Sequence, residues 1–339
     1  MPPCYRRTVP IRSVRSGRGR GLVARSVVLI ALTIVCTQES GRGRVREPLA
    51  APQSAPPAAS PAPSAPAPSA MDGLAGPAAP ADLDVMTFNL RYASTITPNS
   101  WAQRRPVTRA LLTTERPDLI GTQEGLVAQL RDVEADLGAG YDYIGTGRNG
   151  GDLDEHMAIF FNKARLLPRQ SGNFWLSATP AVPGSISWGS RHVRMVTWVL
   201  FDDLATGRRF YAVNTHLDNA SENARRHAAG LIRHRLAAFD PLPIVLTGDF
   251  NTPAGPGSQV YHLLVDQAGL RDTWTTAARR GPSYATIHNY QPLVPDGERA
   301  DWILTTPGAT ALATLVNTHH RGNQFPSDHL PVQVRLRLP

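Results

Sequence analysis

Pro243-Ile244-Val245-Leu246-Thr247-Gly248-Asp249-Phe250-Asn251 is the stretch that decides how this chain is read. Four residues, 243–246, make a buried strand that runs straight into Gly-Asp-Phe-Asn. Side chains on a strand alternate with period two, so Asp249 and Asn251 are expected to point the same way just past its end. A carboxylate and an amide presented together at a sheet rim suit the handling of a metal or a phosphate. Gly, Asp and Asn are also common turn formers. Two further polar clusters tip the balance, Val213-Asn214-Thr215-His216 and Pro326-Ser327-Asp328-His329, because each also follows an apolar, β-rich run.

Around this stretch the composition divides the chain. Residues 1–81 hold Arg-rich, Gly-rich and Pro/Ala/Ser-rich runs without sustained apolar periodicity. An Arg-studded start precedes an apolar run at 26–35, which at ten residues suits an export signal better than a spanning helix of ~20 residues. Residues 1–36 are therefore read as a signal peptide or N-terminal anchor, and an exported or envelope-tethered protein is expected. Cys36 invites acylation, although Val35 is bulkier than such cleavage sites prefer; any membrane contact would come only through this segment. Residues 37–81 read as a Pro/Ala/Ser-rich linker, too poor in apolar side chains to fold and stiffened by proline.

Residues 82–339 remain for one α/β domain, ample to bury a core. Of the 35 basic and 27 acidic residues, ten and three lie in the first 81, so 25 face 24 in the domain. A basic footprint on the folded part, usual in nucleic-acid binders, is thus missing. Both cysteines, Cys4 and Cys36, precede the domain, which excludes a disulfide framework and thiol chemistry there. Strands are expected at 84–90, 118–123, 158–162, 193–201, 210–214, 243–249, 301–305 and 331–337. Helices are expected at 102–115, 126–137 and near 257–268, and from Asn219, where Glu222 three residues on suggests a capping box.

Gly248-Asp249-Phe250-Asn251 together with Ser327-Asp328-His329 resembles the endonuclease/exonuclease/phosphatase superfamily, which includes deoxyribonucleases, deadenylases, sphingomyelinases and inositol phosphatases. The likeness extends through Thr87-Phe88-Asn89, Gly121-Thr122-Gln123-Glu124, Asn214-Thr215-His216 and Ala300-Asp301-Trp302-Ile303. Six clusters in the right order carry it, where one alone would not. Phe174-Trp175-Leu176-Ser177 and the loop to Trp188 resemble a bacterial branch of undefined substrate. The resemblance implies a four-layer sandwich of two mixed β-sheets flanked by helices.

It also implies roles. Glu124, Asn89 and Asp328 would hold Mg2+ or Mn2+, hard cations that take oxygen ligands. His329 would activate water, with Asp301 fixing its tautomer. Asp249 and Asn251 would orient the water and hold phosphoryl oxygens; whether Asp249 is a base, an acid or a second metal ligand stays open. His216 would donate to a non-bridging oxygen, paired with Glu155. Arg194 and His288 would contact the substrate, the latter beside Thr286. Trp175 and Trp188 fit core packing better than a substrate wall. The expected activity is metal-dependent hydrolysis of a phosphodiester of nuclease type. The alternatives are a lipid head group or an inositol or sugar phosphate, and, remotely, a tethered binding domain without catalysis. No obligate protein partner is expected.

Overall fold

The computed structural model describes residues 68–339. The export segment read at 1–36 and most of the linker read at 37–81 lie outside the described residues. Strands β1 (Leu83–Asn89), β2 (Leu119–Gly125), β3 (Tyr141–Ile144), β4 (His156–Asn162), β5 (Leu166–Trp175), β6 (Met195–Asp203), β7 (Arg208–His216) and β8 (Ile244–Asp249) are followed by β9 (Arg271–Asp272), β10 (Arg279–Arg280), β11 (Asp301–Thr305), β12 (Thr310–Val316) and β13 (Val332–Arg337). Seven form one sheet in the order β10-β12-β13-β1-β2-β4-β3, and six the other, β5-β6-β7-β8-β11-β9. Both are mixed: β1 pairs parallel with β2 and β7 with β8, while their outer neighbours run antiparallel.

Three apolar layers make this a sandwich of four. Leu83 and Val85 of β1 meet Ala212, Val245 and Ile303 between the sheets. Met86, Phe88 and Ile120 face outward and bury Leu111 and Leu112 of α2 (Trp101–Glu115) and Leu130 and Val133 of α3 (Val127–Leu137). On the far side Leu246, Trp302 and Leu304 bury Ala228 and Ile232 of α4 (Glu222–Leu236). Both faces of the central strands are therefore apolar, as continuous runs such as 243–246 require. The expected sandwich of two mixed sheets flanked by helices is what the chain forms.

Period two explains where the polar clusters go. Leu83, Val85, Thr87 and Asn89 share the inward face of β1, and Val245, Thr247 and Asp249 that of β8. Ala212, Asn214 and His216 do so on β7, and Asp301 and Ile303 on β11. All four rows end in a polar residue at one mouth of the sandwich. Beneath them the sheets approach closely: a Cβ on Gly121 would collide with Thr247 Oγ1 and Asn214 Oδ1. Asn214 bridges the sheets there, taking Gln123 Nε2 at 2.7 Å and donating to Thr122 O at 2.7 Å and Ala158 O at 3.0 Å.

Several elements differ from expectation. The folded body begins before Asp82: a short helix, α1 (Ala70–Ala75), buries Met71 against Ala313 and Leu315. Its Asp72 receives Arg335 at 2.9 Å, and Asp84 shares that guanidinium. The surrounding Pro/Ala/Ser run masks this. Helix α4 is capped by Ser221, whose hydroxyl accepts Ala224 N, and not by Asn219. Strand β5 escapes pattern reading because it is polar, exposed and bulged at Pro168 on a sheet edge. Among the described residues no helix is long and apolar enough to cross a membrane.

Candidate active site

The mouth collects Asn89, Glu124, His216, Asp249 and Asn251 into one hydrogen-bonded cluster, with the Asp301–His329 pair beside it. Asn89 Nδ2 donates to Glu124 Oε1 at 3.1 Å and to Asp249 Oδ2 at 3.0 Å. Glu124 should face outward by alternation, since Leu119, Gly121 and Gln123 face in. A bulge between Thr122 and Gly125, with Glu124 at φ +64°, swings its carboxylate back to the mouth. Tyr92 N then donates to its second oxygen at 3.1 Å. Burial opposes ionisation of Glu124, yet His216 and His329 outweigh it and hold the carboxyl below its ordinary range.

Asp249 and Asn251 do meet, but through a turn and not through the pleat. The strand stops at Asp249, whose Oδ1 accepts Asn251 N at 2.9 Å, and Asn251 adopts φ +49°. This Asx turn folds the Asn251 amide back to 2.9 Å from His216 Nε2 and 3.0 Å from Leu217 O. Asp249 Oδ2 lies 3.2 Å from the same imidazole nitrogen. Burial works against the Asp249 charge, but His216, His329 and Asn251 N together drive its pKa far below the usual range.

His329 sits on Asp301, Nδ1 to Oδ2 at 3.0 Å, with Nε2 turned toward Asp249 Oδ2 at 3.9 Å. Burial disfavours the imidazolium; Asp301, then Asp249, overcome this and raise its pKa well above the ordinary value. Thr286, fully buried, completes the support, its hydroxyl accepting Ala300 N at 2.9 Å and Asp301 N at 3.2 Å. The sequence marks Thr286 beside His288, but only the fold shows that it serves Asp301.

Four expected contacts take other partners. His216 Nδ1 is held by Arg194, 2.7 Å away, and not by Glu155. Glu155 pairs instead with Arg148 at 2.7 Å. Arg194 is correspondingly buried behind His216, away from any open substrate surface. His288 faces Ser327 O at 3.1 Å and packs on Phe325, so it braces the Ser-Asp-His loop from behind. Asp328 leans on Arg91 at 3.6 Å and on Ser327 Oγ at 3.2 Å, without contacting Glu124 or Asn89. Trp175 is core, as expected, and Trp188 stacks on His227 of α4.

The exchange of Glu155 for Arg194 matters chemically. A guanidinium is always a donor, so Nδ1 of His216 keeps its lone pair and Nε2 carries the proton. Burial first and Arg194 second lower the His216 pKa, which keeps the ring neutral and a donor. Glu155, buried and near Glu124, is pushed up to about 7 despite Arg148 and Arg194.

Which residues could hold a cation follows from donor chemistry. Asp249, Asp301 and His329 bring ligand atoms within 4.8 Å of one another. In that trio, though, His329 Nδ1 already faces Asp301, an arrangement that stores a proton. Glu124 and Asp249 flank the Asn89 side chain with oxygen atoms and a low-pKa carboxyl, a hard donor set that fits Mg2+ or Mn2+.

No curated protein matches the chain, but solved structures do. An endonuclease/exonuclease/phosphatase family protein from Bacteroides thetaiotaomicron is 34% identical, covering 76% of this chain and 98% of its own, with a TM-score of 0.72. A mannosyl-6-phosphatase from the same organism is also 34% identical, over 75% and 99%, at 0.70. A zebrafish TDP2 bound to a single-stranded DNA product shares the fold alone, at 15% identity and 0.58 over 75% and 98%. The family model spans residues 86–329, from the strand bearing Asn89 to His329 itself. The chain therefore belongs to the endonuclease/exonuclease/phosphatase family, whose members are phosphoesterase hydrolases.

Proposed function

We propose that this protein is an exported, divalent-metal-dependent phosphatase that hydrolyses a phosphorylated sugar by direct attack of water. The observation that carries the chemistry is the joining of seven polar side chains, Asn89 to His329, at one mouth of the sandwich. The sugar phosphate is favoured by the 34% identity to a mannosyl-6-phosphatase over nearly all of that protein. The balance of 25 basic against 24 acidic residues after residue 81 offers a polyanion no attraction. Export rests on the apolar run at 26–35.

Glu124, Asn89 and Asp249 would hold the cation. When bound it would neutralise phosphoryl oxygens and offset the carboxylate field that raises His329. The protein's own groups do the rest. Asn251 and the Nε2–H of His216 face a non-bridging oxygen, where negative charge grows in the transition state. Nε2 of His329 takes a proton as a water oxygen attacks phosphorus, and Nδ1–H stays on Asp301. The bond from phosphorus to the sugar oxygen breaks, and the sugar leaves with a proton drawn from solvent.

The test uses the full chain stripped with EDTA and assayed with and without Mg2+ or Mn2+ on a mannoside 6-phosphate, 4-nitrophenyl phosphate, bis-nitrophenyl phosphate, DNA and RNA. Glu124→Gln is expected to weaken activating-metal affinity about 10- to 100-fold, read as a shift in the metal titration midpoint. Turnover of DNA over the monoesters would sink the sugar-phosphate reading; no metal requirement would sink the mechanism.

Arg194 supplies a second test. Arg194→Met keeps the stem and removes the donor to His216 Nδ1. The expected result is a kcat lower by roughly 10- to 100-fold with KM little changed, as for lost outer partners of active-site groups. Nitrogen NMR should show the His216 proton divided between Nδ1 and Nε2. An unchanged tautomer would mean that Arg194 does not set it.

A further inference from the structure

We propose that the cleft beside Asn251, lined by Thr252, Ile287, Val294, Glu298 and Ala300, receives the sugar ring of the substrate; this rests on the phosphatase reading above. The cleft encloses about 410 Å3, within the ~300–1,000 Å3 of small-molecule sites. Its walls are continuous with the cluster. Asn251 belongs to both, Ala300 precedes Asp301, and Ile287 forms a β-bridge with His329. An ester with its phosphorus at the mouth can place its alcohol in this space.

The lining suits a sugar. Ile287, Val294 and Ala300 present an apolar side, and Asn251, Thr252 and Glu298 a polar one. A pyranose has the same division, with C–H faces and hydroxyl edges. Val294, one of the lining residues, is apolar and 55% exposed. The Glu298 carboxylate has no hydrogen-bond or ion-pair partner among the described residues, so both oxygens are free to accept from vicinal hydroxyls. Its charge also repels a second phosphate, which disfavours a nucleotide in the same place.

The cleft is pre-formed. Ala285 N donates to Val294 O at 2.9 Å and Thr286 N to Glu298 O at 3.1 Å. A Cβ at Gly297 would come within 2.6 Å of Ala285 Cβ, so the segment closes tightly there. Through the Thr286 hydroxyl the same segment fixes Ala300 and Asp301. The sugar wall and the support of His329 are thus one rigid piece, as accurate positioning requires.

The experiment compares Glu298→Ala and Glu298→Gln with wild type in the full chain on two monoesters, a methyl mannoside 6-phosphate and 4-nitrophenyl phosphate. The ratio of kcat/KM for the sugar ester over the aryl ester is expected to fall about 10-fold or more on loss of a charged hydrogen-bond acceptor, chiefly through KM. A ratio that stays within twofold would overturn the proposal. If wild type hydrolyses neither ester, the phosphatase reading fails and the cleft is judged by binding alone. Saturation transfer to methyl mannoside should then be seen with wild type and lost in Thr252→Phe, which fills the space. No transfer with wild type, or equal transfer with Thr252→Phe, would overturn it too.

Discussion

Replacing His329 with Ala is expected to lower kcat by about 10²- to 10⁴-fold, the span that a positioned acid–base group contributes. KM should move far less, because the imidazole acts on the attacking water. His329 stands in a fork, with Nδ1 on Asp301 and Nε2 toward Asp249. Only the neutral ring can accept a proton. Asp301 and Asp249 raise its pKa in the metal-free protein; a bound cation offsets part of that field, so activity should climb with pH through a value below the metal-free one. Asp301→Asn removes the carboxylate that raises it most, so the acid limb should move to lower pH even as kcat falls. Stability runs the other way. The raised pKa contributes stability fully below the unfolded value, and this is lost as pH rises through the folded one. A pH–rate profile of wild type and Asp301→Asn decides the matter. An acid limb that stays in place would remove His329 as the titrating group, and a His329→Ala enzyme within tenfold of wild type would remove it as the base.

The parts of this site that were legible in the sequence are those set by period two. Asn89, His216 and Asp249 each end an inward row of a buried strand, so an apolar run followed by a polar residue announces them; Asp301 opens its strand and is legible only by resemblance. Glu124 was legible only by resemblance, since alternation alone sends it outward and the bulge with φ +64° brings it back. What the pattern could not give is partner choice. Glu155, Arg148 and Arg194 are all charged residues near strand starts, and nothing in their spacing says which guanidinium reaches which acid. The fold resolves it by depth: Arg194 comes in beside His216, and Arg148 takes Glu155. His288 was misplaced for a similar reason. Its neighbours along the chain are in the site, but the local backbone turns its ring behind Ser327. At the N-terminal edge, composition hid a helix whose two useful residues, Met71 and Asp72, stand in a run otherwise free of fold signals.

Arg104→Met, a change outside the cluster, should destabilise the protein severely. Arg104 is fully buried in α2 and has no carboxylate partner among the described residues. Its guanidinium donates to Asn99 O, Leu90 O, Pro326 O, Arg91 O and Tyr92 O, at 2.6 to 3.1 Å. Those carbonyls belong to two loops, the one leaving Asn89 and the one entering Ser327-Asp328-His329. One side chain thus ties together the two ends of the active site, and Ser327 Oγ adds a bond to Asn89 O at 2.7 Å. Methionine fills much of the volume but loses all five bonds, each worth about 0.5–1.5 kcal/mol. Asn99 O is left without a donor, while Leu90 O and Arg91 O keep Gln129, Tyr92 O keeps Ser94 N and Pro326 O keeps Thr108. A loss of roughly 3–5 kcal/mol follows, with Tm lower by roughly 10 °C. Because the loops also set the distance from Asn89 to His329, kcat measured well below the new Tm should still be reduced. Arg104→Lys restores one donor atom, with at most three of the five bonds, and should recover only a fraction of either loss. A Tm within about 2 °C of wild type would mean that water replaces the guanidinium without penalty, and that Arg104 does not brace the site.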